Sequence, residues 1–391
     1  MLVAPFFVVF APFAVKVVFM EFEVTARDQD SRARAGRLSL RSGIVRTPAF
    51  MPVGSRGSVR GVTSEQLREC GVEMVLANAY HLALRPGADA VARLGGLHAF
   101  MGWDGPILTD SGGYQVFSLA DHRVIAEDGV RFRSPLDGRE MFLGPRRCME
   151  IQNALGADVA MVLDQCPPYP CSRELAQEAV ERTLRWSAEC KACHGRADQA
   201  LFGIVQGSVF DDLRRASVRR TVELGFDGYA VGGVSVGEDE SQSRHTVAFT
   251  APLLPEERPR YLMGVGFPAD VVAAVGDGVD LFDCVAPTRM GRNGTAFTPD
   301  GRLRLRNSAC KDDPRPVQDG CTCPCCRVYS RAYVNHLFRV GEMLGPVLLS
   351  IHNLTFYSGL MAEARRAIAG GRFAEFGDRF IARSSKGDAD A

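Results

Sequence analysis

Eight short apolar runs, separated by stretches with helical spacing, constrain this chain more than any other feature. They are "VRTPAFMPVG" at 45–54, "VEMVLANAY" at 72–80, "PILTDSGG" at 106–113, "ADVAMVLDQC" at 157–166, "LFGIVQG" at 201–207, "GYAVGG" at 228–233, "RYLMGVG" at 260–266 and "VDLFDCV" at 279–285. Helix signals lie between them. Thr63 and Gln66 make a capping-box pattern before "SEQLREC", and 173–190 sets Leu175, Ala179, Val180 and Leu184 on one face. Buried strands alternating with helices predict a parallel sheet, and eight such units predict closure into a (β/α)8 TIM barrel. A length of 391 residues is enough for one large α/β domain of this kind.

Polar residues recur at one position in this pattern. Asp110, Asp164, Gln206, Gly232 with Gly233, Gly264 and Asp283 stand at the C-terminal ends of their runs, and that end of a barrel is the rim on which active sites are assembled. Any one of them alone reads as a helix cap or a turn glycine. Their shared position reads as a site. Two carboxylates at one rim suit chemistry at an acetal-like carbon: Asp283, on a rigid strand end, would attack a sugar C1′ while Asp110 moves protons to and from the departing and arriving groups.

Lys plus Arg and Asp plus Glu both number 46, so no global field announces a nucleic acid, a membrane or an acidic ligand. An anionic partner has to be met locally, and the stretch from Arg289 to Arg315 is rich in cations. Of the twelve cysteines, four crowd into "CTCPCC" at 321–326, which predicts a reducing compartment, the cytoplasm, and a metal site in place of a disulfide framework. The opening "MLVAPFFVVFAPFAVKVVF" has no basic residue before its apolar run, carries Pro5 and Pro12, and is interrupted by Lys16. It fits neither a signal peptide nor a membrane helix, so residues 1–19 read as an over-extended start, with Met20 opening the chain proper. "CKACH" at 190–194 has the spacing of a c-type haem attachment site but falls at the end of an amphipathic helix. It reads as two helix-surface thiols and a solvent-facing His194.

Longer motifs are specific enough to point to a family. "TDSGGYQVFSL" (109–119), "LDQC" (163–166), "GIVQG" (203–207), "YAVGGVSVGE" (229–238), "YLMGVG" (261–266), "FDCVAPTRMGRNGTAFT" (282–298), "CTCPCC" and "SIHNLTFY" (350–357) occur in that order. Together they closely resemble bacterial tRNA-guanine transglycosylase, from Met20 to Arg379. The resemblance implies a zinc-bearing barrel, commonly a homodimer paired through its zinc region. It further implies exchange of guanine in GUN-anticodon tRNAs for the 7-deazaguanine preQ1 at the wobble position, a step of queuosine biosynthesis.

Carried over residue by residue, the resemblance makes Asp283 the nucleophile that holds the ribose covalently and Asp110 the general acid/base. Asp164 matches the carboxylate that reads the purine's donor edge. Gln206 and the Gly233 N–H match donors to its carbonyl oxygen, and Tyr114 and Met263 match the side chains that sandwich the ring. Arg289 and Arg292, in the loop after the last strand, would reach phosphates beside a flipped nucleotide. Cys321, Cys323, Cys326 and His352 would hold a structural zinc, with Cys325 left over. Cys166 and Val236 stand where queuine-using members tend to carry valine and glycine. With the Val234 carbonyl and Glu238 nearby, they imply preQ1 over the bulkier queuine.

The implied division is a barrel over 20–307, a zinc subdomain inserted near the C-terminus over 308–355, a helical segment over 356–380 and a flexible tail over 381–391. Departures from the family pattern are Pro135, Gln165 and Ala286, where His, Glu and Leu are usual. Other readings are a queuine-using transglycosylase, a catalytically silent tRNA-binding subunit, a glycoside hydrolase on the same fold, and a sister enzyme acting elsewhere in tRNA. Retention of both aspartates argues against the silent subunit. The purine-pocket motifs and the basic zinc segment have no use in a simple hydrolase.

Overall fold

The computed structural model describes residues 20–119 and 123–389, so the expected over-extended start at 1–19 lies outside it. Eight parallel strands close on themselves: Ala49–Gly54, Val75–Asn78, Ile107–Asp110, Val159–Met161, Ala200–Val205, Gly228–Val231, Arg260–Leu262 and Leu281–Cys284. The last strand pairs with the first, Leu281 opposite Ala49 and Cys284 opposite Pro52. Each apolar run supplies one barrel strand, and the expected (β/α)8 architecture is the one found. The run at 45–54 is split. Gly43–Thr47 joins an antiparallel sheet with Glu21–Arg27 and Arg34–Leu40, and only Ala49–Gly54 enters the barrel. Pro48, between them, has no N–H to give to either ladder, which places the switch there.

The small sheet lies at the N-terminal end of the barrel. Buried Arg34 donates from Nε to Asp280 Oδ1 at 3.0 Å, and Asp280 immediately precedes the eighth strand. Losing either partner would strand a charge in the core, so the pair fixes the sheet to the barrel floor.

The helix after the fourth strand, Arg173–Cys193, buries Ala176, Ala179, Val180, Thr183, Leu184, Ser187 and Cys190, while Leu175 is only half-buried. This corrects the reading of "CKACH". Cys190 is fully buried, its Sγ accepts the Leu163 N–H at 3.3 Å, and His194 is half-buried with its Nε2 3.2 Å from Gln199 Oε1. The stripe through 176, 180, 183 and 187 continues to 190 at helical spacing, which turns that thiol inward.

Beyond the barrel come the helix Ala286–Arg292, the hairpin Thr295–Thr298 with Gly301–Arg304, and the helices Pro324–Val328, Arg331–Val340, Leu344–Ala369 and Phe373–Ala389. Arg289 and Arg292 therefore lie on a helix and not in a loop. Gly291 explains how that helix seats: a Cβ there would come within 2.8 Å of the Ser350 backbone nitrogen, so only glycine lets it approach Leu344–Ala369 so closely. The expected boundary at 355/356 falls inside the helix Leu344–Ala369, which carries His352 toward the cysteine cluster and packs Tyr357 tilted against Phe50 of the barrel with centroids 4.4 Å apart. The helix Phe373–Ala389 runs past residue 380, where Ile381 and buried Ser384 continue its inner face and Arg383 pairs with Asp300 in the hairpin turn. Among the described residues no helix is long and apolar enough to cross a membrane.

Candidate active site

The third strand ends on Asp110, opposite Asn78 at the end of the second. Asn78 Nδ2 donates to Asp110 Oδ2 at 2.6 Å and the Ala79 N–H to Oδ1 at 3.1 Å. Burial, reinforced by the nearby Asp283 carboxylate, pushes the Asp110 pKa up to about 7, and the Ala79 N–H opposes the rise. Asp283 lies in the eighth strand, two residues beyond Leu281, which pairs with Tyr261. The two-residue period brings Asp283 to the same face as Tyr261. Its Oδ1 accepts the Tyr261 hydroxyl at 2.6 Å and the Gly264 N–H at 2.8 Å. Burial raises its pKa, and these two donors counter that rise by stabilising the anion.

Next along the rim, buried Asp164 accepts from Gln206 Nε2 at 2.6 Å, and burial pushes its carboxyl up to about 6. Gln206 follows the fifth strand directly, is fully buried, and leaves Oε1 without a partner. Gly233 has φ +65°, and a Cβ on it would sit 2.4 Å from that Oε1, so both conformation and space require glycine. Arg214, on the helix Asp211–Leu224, is fully buried and donates to the carbonyls of Ser208 at 2.8 Å, Gly232 at 2.7 Å and Gly233 at 3.0 Å. Burial lowers its pKa to about 10. Its planar fork fixes the Gly232–Gly233 turn.

Glu238 accepts the N–H groups of Ser235 and, at 2.9 Å, of Val236, together with the Ser243 hydroxyl at 3.0 Å. Val234 is buried and Val236 half-buried beside it. Cys166 is half-buried, and burial with the Asp164 charge behind it pushes its thiol up to about 12. Tyr114, on the helix Gly113–Leu119, is 53 % exposed, and Met263 lies partly buried just past the seventh strand. Arg289 is exposed and Arg292 half-buried in the last turn of their helix. Of the departures, Gln165 is buried and accepts from Arg182 Nη1 at 2.5 Å, while Arg182 Nη2 takes its charge partner from Glu127 at 2.9 Å. Ala286 is buried at the start of its helix, and Pro135 lies in the turn between Gly129–Arg133 and Glu140–Leu143.

Away from the rim, Cys321, Cys323, Cys326 and His352 bring one ligand atom each to within 4.8 Å of one another. His352 Nδ1 lies 3.8, 3.7 and 3.3 Å from the three sulfurs. Tetrahedral zinc with ordinary Zn–S and Zn–N bonds would separate S and N by about 3.6 Å, so the donor set fits such an ion. The other ring nitrogen, Nε2, faces the Phe297 carbonyl oxygen at 2.9 Å, which leaves Nδ1 as the ligand. Cys325 is buried outside the cluster.

Asn78, Tyr261 and Arg214 escape a reading of the sequence. Tyr261 sits in an apolar run and reads as core. Asn78 also ends a run, and only its register with Asp110 gives it a role. Arg214 reads as one of several surface arginines on its helix.

The family model described as Queuine tRNA-ribosyltransferase matches residues 28–386. The chain is 52 % identical over 372 residues to the queuine tRNA-ribosyltransferase of Symbiobacterium thermophilum, covering 95 % of this chain and 93 % of that protein. It is 52 % identical over 369 residues to the one from Pelotomaculum thermopropionicum, covering 94 % and 100 %, and 49 % identical over 367 residues to the one from Zymomonas mobilis, covering 93 % and 95 %.

Proposed function

Because the chain belongs to the queuine tRNA-ribosyltransferase family, we propose that it exchanges wobble guanine in GUN-anticodon tRNAs for preQ1 through a covalent Asp283–ribose intermediate. One observation carries the reading: a buried and a half-buried carboxylate share the rim, Asp283 held by two donors on one oxygen and Asp110 poised near neutrality. As Asp283 Oδ2 bonds to C1′, the C1′–N9 bond breaks, its electron pair leaves with guanine, and Asp110 supplies a proton. Asp110, now a carboxylate, takes the N9 proton of the incoming base, whose N9 displaces Asp283 from C1′. A group titrating near 7 serves both transfers.

In this reading Asp164 accepts from the purine's N–H groups, while the second amide hydrogen of Gln206 and the Gly233 N–H donate to its carbonyl. Tyr114 and Met263 enclose the ring. Stacking accepts any base, so the in-plane bonds select this one. Cys166 and Val236 fill the space beside the 7-substituent. Glu238 already holds the Ser235 and Val236 N–H groups, so its part is to fix the turn whose Val234 carbonyl meets the cationic arm of preQ1. Arg289 and Arg292 take phosphates.

The Cys₃His cluster would hold a structural zinc that cross-links the hairpin-to-helix segment and takes no part in the exchange. Exposed Val328, Tyr333, Val340 and Met343 in the same segment support pairing of two copies through that face. The free thiols suit a reducing compartment such as the cytoplasm.

Incubation with labelled guanine and an unmodified GUN-anticodon tRNA tests the reading. Label should enter the tRNA and be displaced by preQ1. A tRNA that takes up no label rejects it.

A further inference from the structure

The segment that leaves the seventh strand runs from Met263 to Phe267. Its Gly264 N–H reaches Asp283 Oδ1 at 2.8 Å, and a Cβ on Gly266 would lie 2.1 Å from that of Cys284, so the segment rests directly against the strand end that carries Asp283. A Cβ on Gly264 would meet nothing within 4 Å, which leaves open space beside that contact. Phe267 follows and is 46 % exposed. Its ring meets the buried ring of Phe297 edge-on, with centroids 6.3 Å apart, and Phe297 in turn packs on Phe356 and Tyr357. Pro268 confines Phe267 to the extended backbone found there, φ −76° and ψ 139°.

A single exposed phenylalanine is ordinary on a protein surface. This one is braced by a ring on one side and a proline after it, and it stands one residue from the segment that touches the proposed site of ribose attachment. Its side chain has no charge and no hydrogen-bonding atom, so it suits neither a phosphate nor a ribose hydroxyl. It suits the flat face of an unpaired base. Exchange at C1′ takes one base out of the loop stack, and each neighbouring base then loses a stacking partner. An aromatic ring at the mouth replaces that partner whatever the neighbour's identity, because every base has a π-face.

We propose that Phe267 is a stacking platform for a base adjoining the exchanged nucleotide, holding the anticodon loop open while that nucleotide occupies the pocket. The proposal rests on the tRNA reading above and adds an uncharged contact to it. Phe267 acts by binding. It touches no reacting atom, so its removal shows in tRNA affinity and leaves the chemical step alone.

The test measures binding of GUN anticodon stem-loop RNA by the full-length wild type, Phe267→Ala, Phe267→Leu, Phe267→Trp and, as control, Ile44→Ala, whose residue is exposed on the small sheet at the far end of the barrel. Phe267→Ala should weaken binding about five- to thirtyfold. Phe267→Leu, which keeps an apolar contact for Phe297 and so the wild-type Tm, should also weaken it, whereas Phe267→Trp and Ile44→Ala should bind as wild type or better. KM for the RNA should rise with kcat and the KM for guanine unchanged. The slope of log affinity against log salt should not move, because no counterion is released by this contact. An abasic nucleotide placed on the side that Phe267 serves, 5′ or 3′ of the exchanged guanine, should remove the difference between wild type and Phe267→Ala, and on the other side should preserve it.

Wild-type affinity in both Phe267→Ala and Phe267→Leu, while the wild type binds the RNA, would overturn the platform alone. A loss that survives both abasic replacements, with kcat lowered as well, would assign Phe267 to packing that seats Gly264 and Asp283 and would overturn it equally. A wild type that does not bind the RNA would remove the parent reading, and the platform with it.

Discussion

The phenol of Tyr261 and the carboxylate of Asp283 face each other across neighbouring barrel strands, the hydroxyl donating to Oδ1 at 2.6 Å. With the Gly264 N–H on the same oxygen, this bond would decide which oxygen attacks in the proposed exchange. A hydrogen bond to a charged group contributes about 1.5–3 kcal/mol. Tyr261→Phe should therefore lower kcat about 10- to 100-fold with little change in KM for tRNA. Asp283→Asn should yield no denaturation-resistant protein–RNA adduct on a gel. Exchange at the wild-type rate in Tyr261→Phe would show that the bond does not position the nucleophile.

Asp164 gives a prediction about pH. Its carboxyl sits at about 6 in the folded protein, above its ordinary 3.8. Between those values the folded state keeps a proton that the unfolded chain has released, so this group's contribution to stability falls as pH rises through the window. Above it the penalty is complete, on the order of 3 kcal/mol. Asp164→Asn should raise Tm relative to wild type at pH 8 but not at pH 4, while losing guanine affinity. In the wild type, guanine binding should weaken below about pH 6 as the acceptor takes up a proton. Equal Tm shifts at both pH values would count against this account.

Metal content is a third check. Freshly purified protein should carry about one zinc per chain, and Cys323→Ala should lose it and lower Tm before it alters the exchange step. Protein without metal, or retention of the metal in Cys323→Ala, would refute the assignment of these ligands.

In the proposed exchange, substrate choice turns on Val236. Its side chain is half-buried, as is that of Cys166, and a filled pocket rejects a bulkier base by overlap. Wild type should use preQ1 and discriminate against queuine, and Val236→Gly should narrow that difference about tenfold or more. Competition of the two bases for guanine-loaded tRNA measures it. Comparable use of both by the wild type would mean that these residues do not set the choice.

Local chemistry settled much of this molecule in advance. Eight apolar runs had to be buried strands, Pro48 aside, and helical spacing between them left a closed parallel barrel as the arrangement that covers both faces. The close spacing of Cys321, Cys323 and Cys326 announced a metal because ligands so near in sequence need no long-range folding to meet. Partners distant in sequence were decided only by tertiary structure. Tyr261 and Asn78 look like core or cap until strand register sets them against Asp283 and Asp110. Cys190 turned inward because the packing of its helix, not its motif, chose the buried face. Arg214 and its neighbour Arg215 read alike in the chain. One became a dry brace for the Gly232–Gly233 turn and the other an exposed cation on the same helix, because the burial of an arginine is a property of the fold, and no local pattern encodes it.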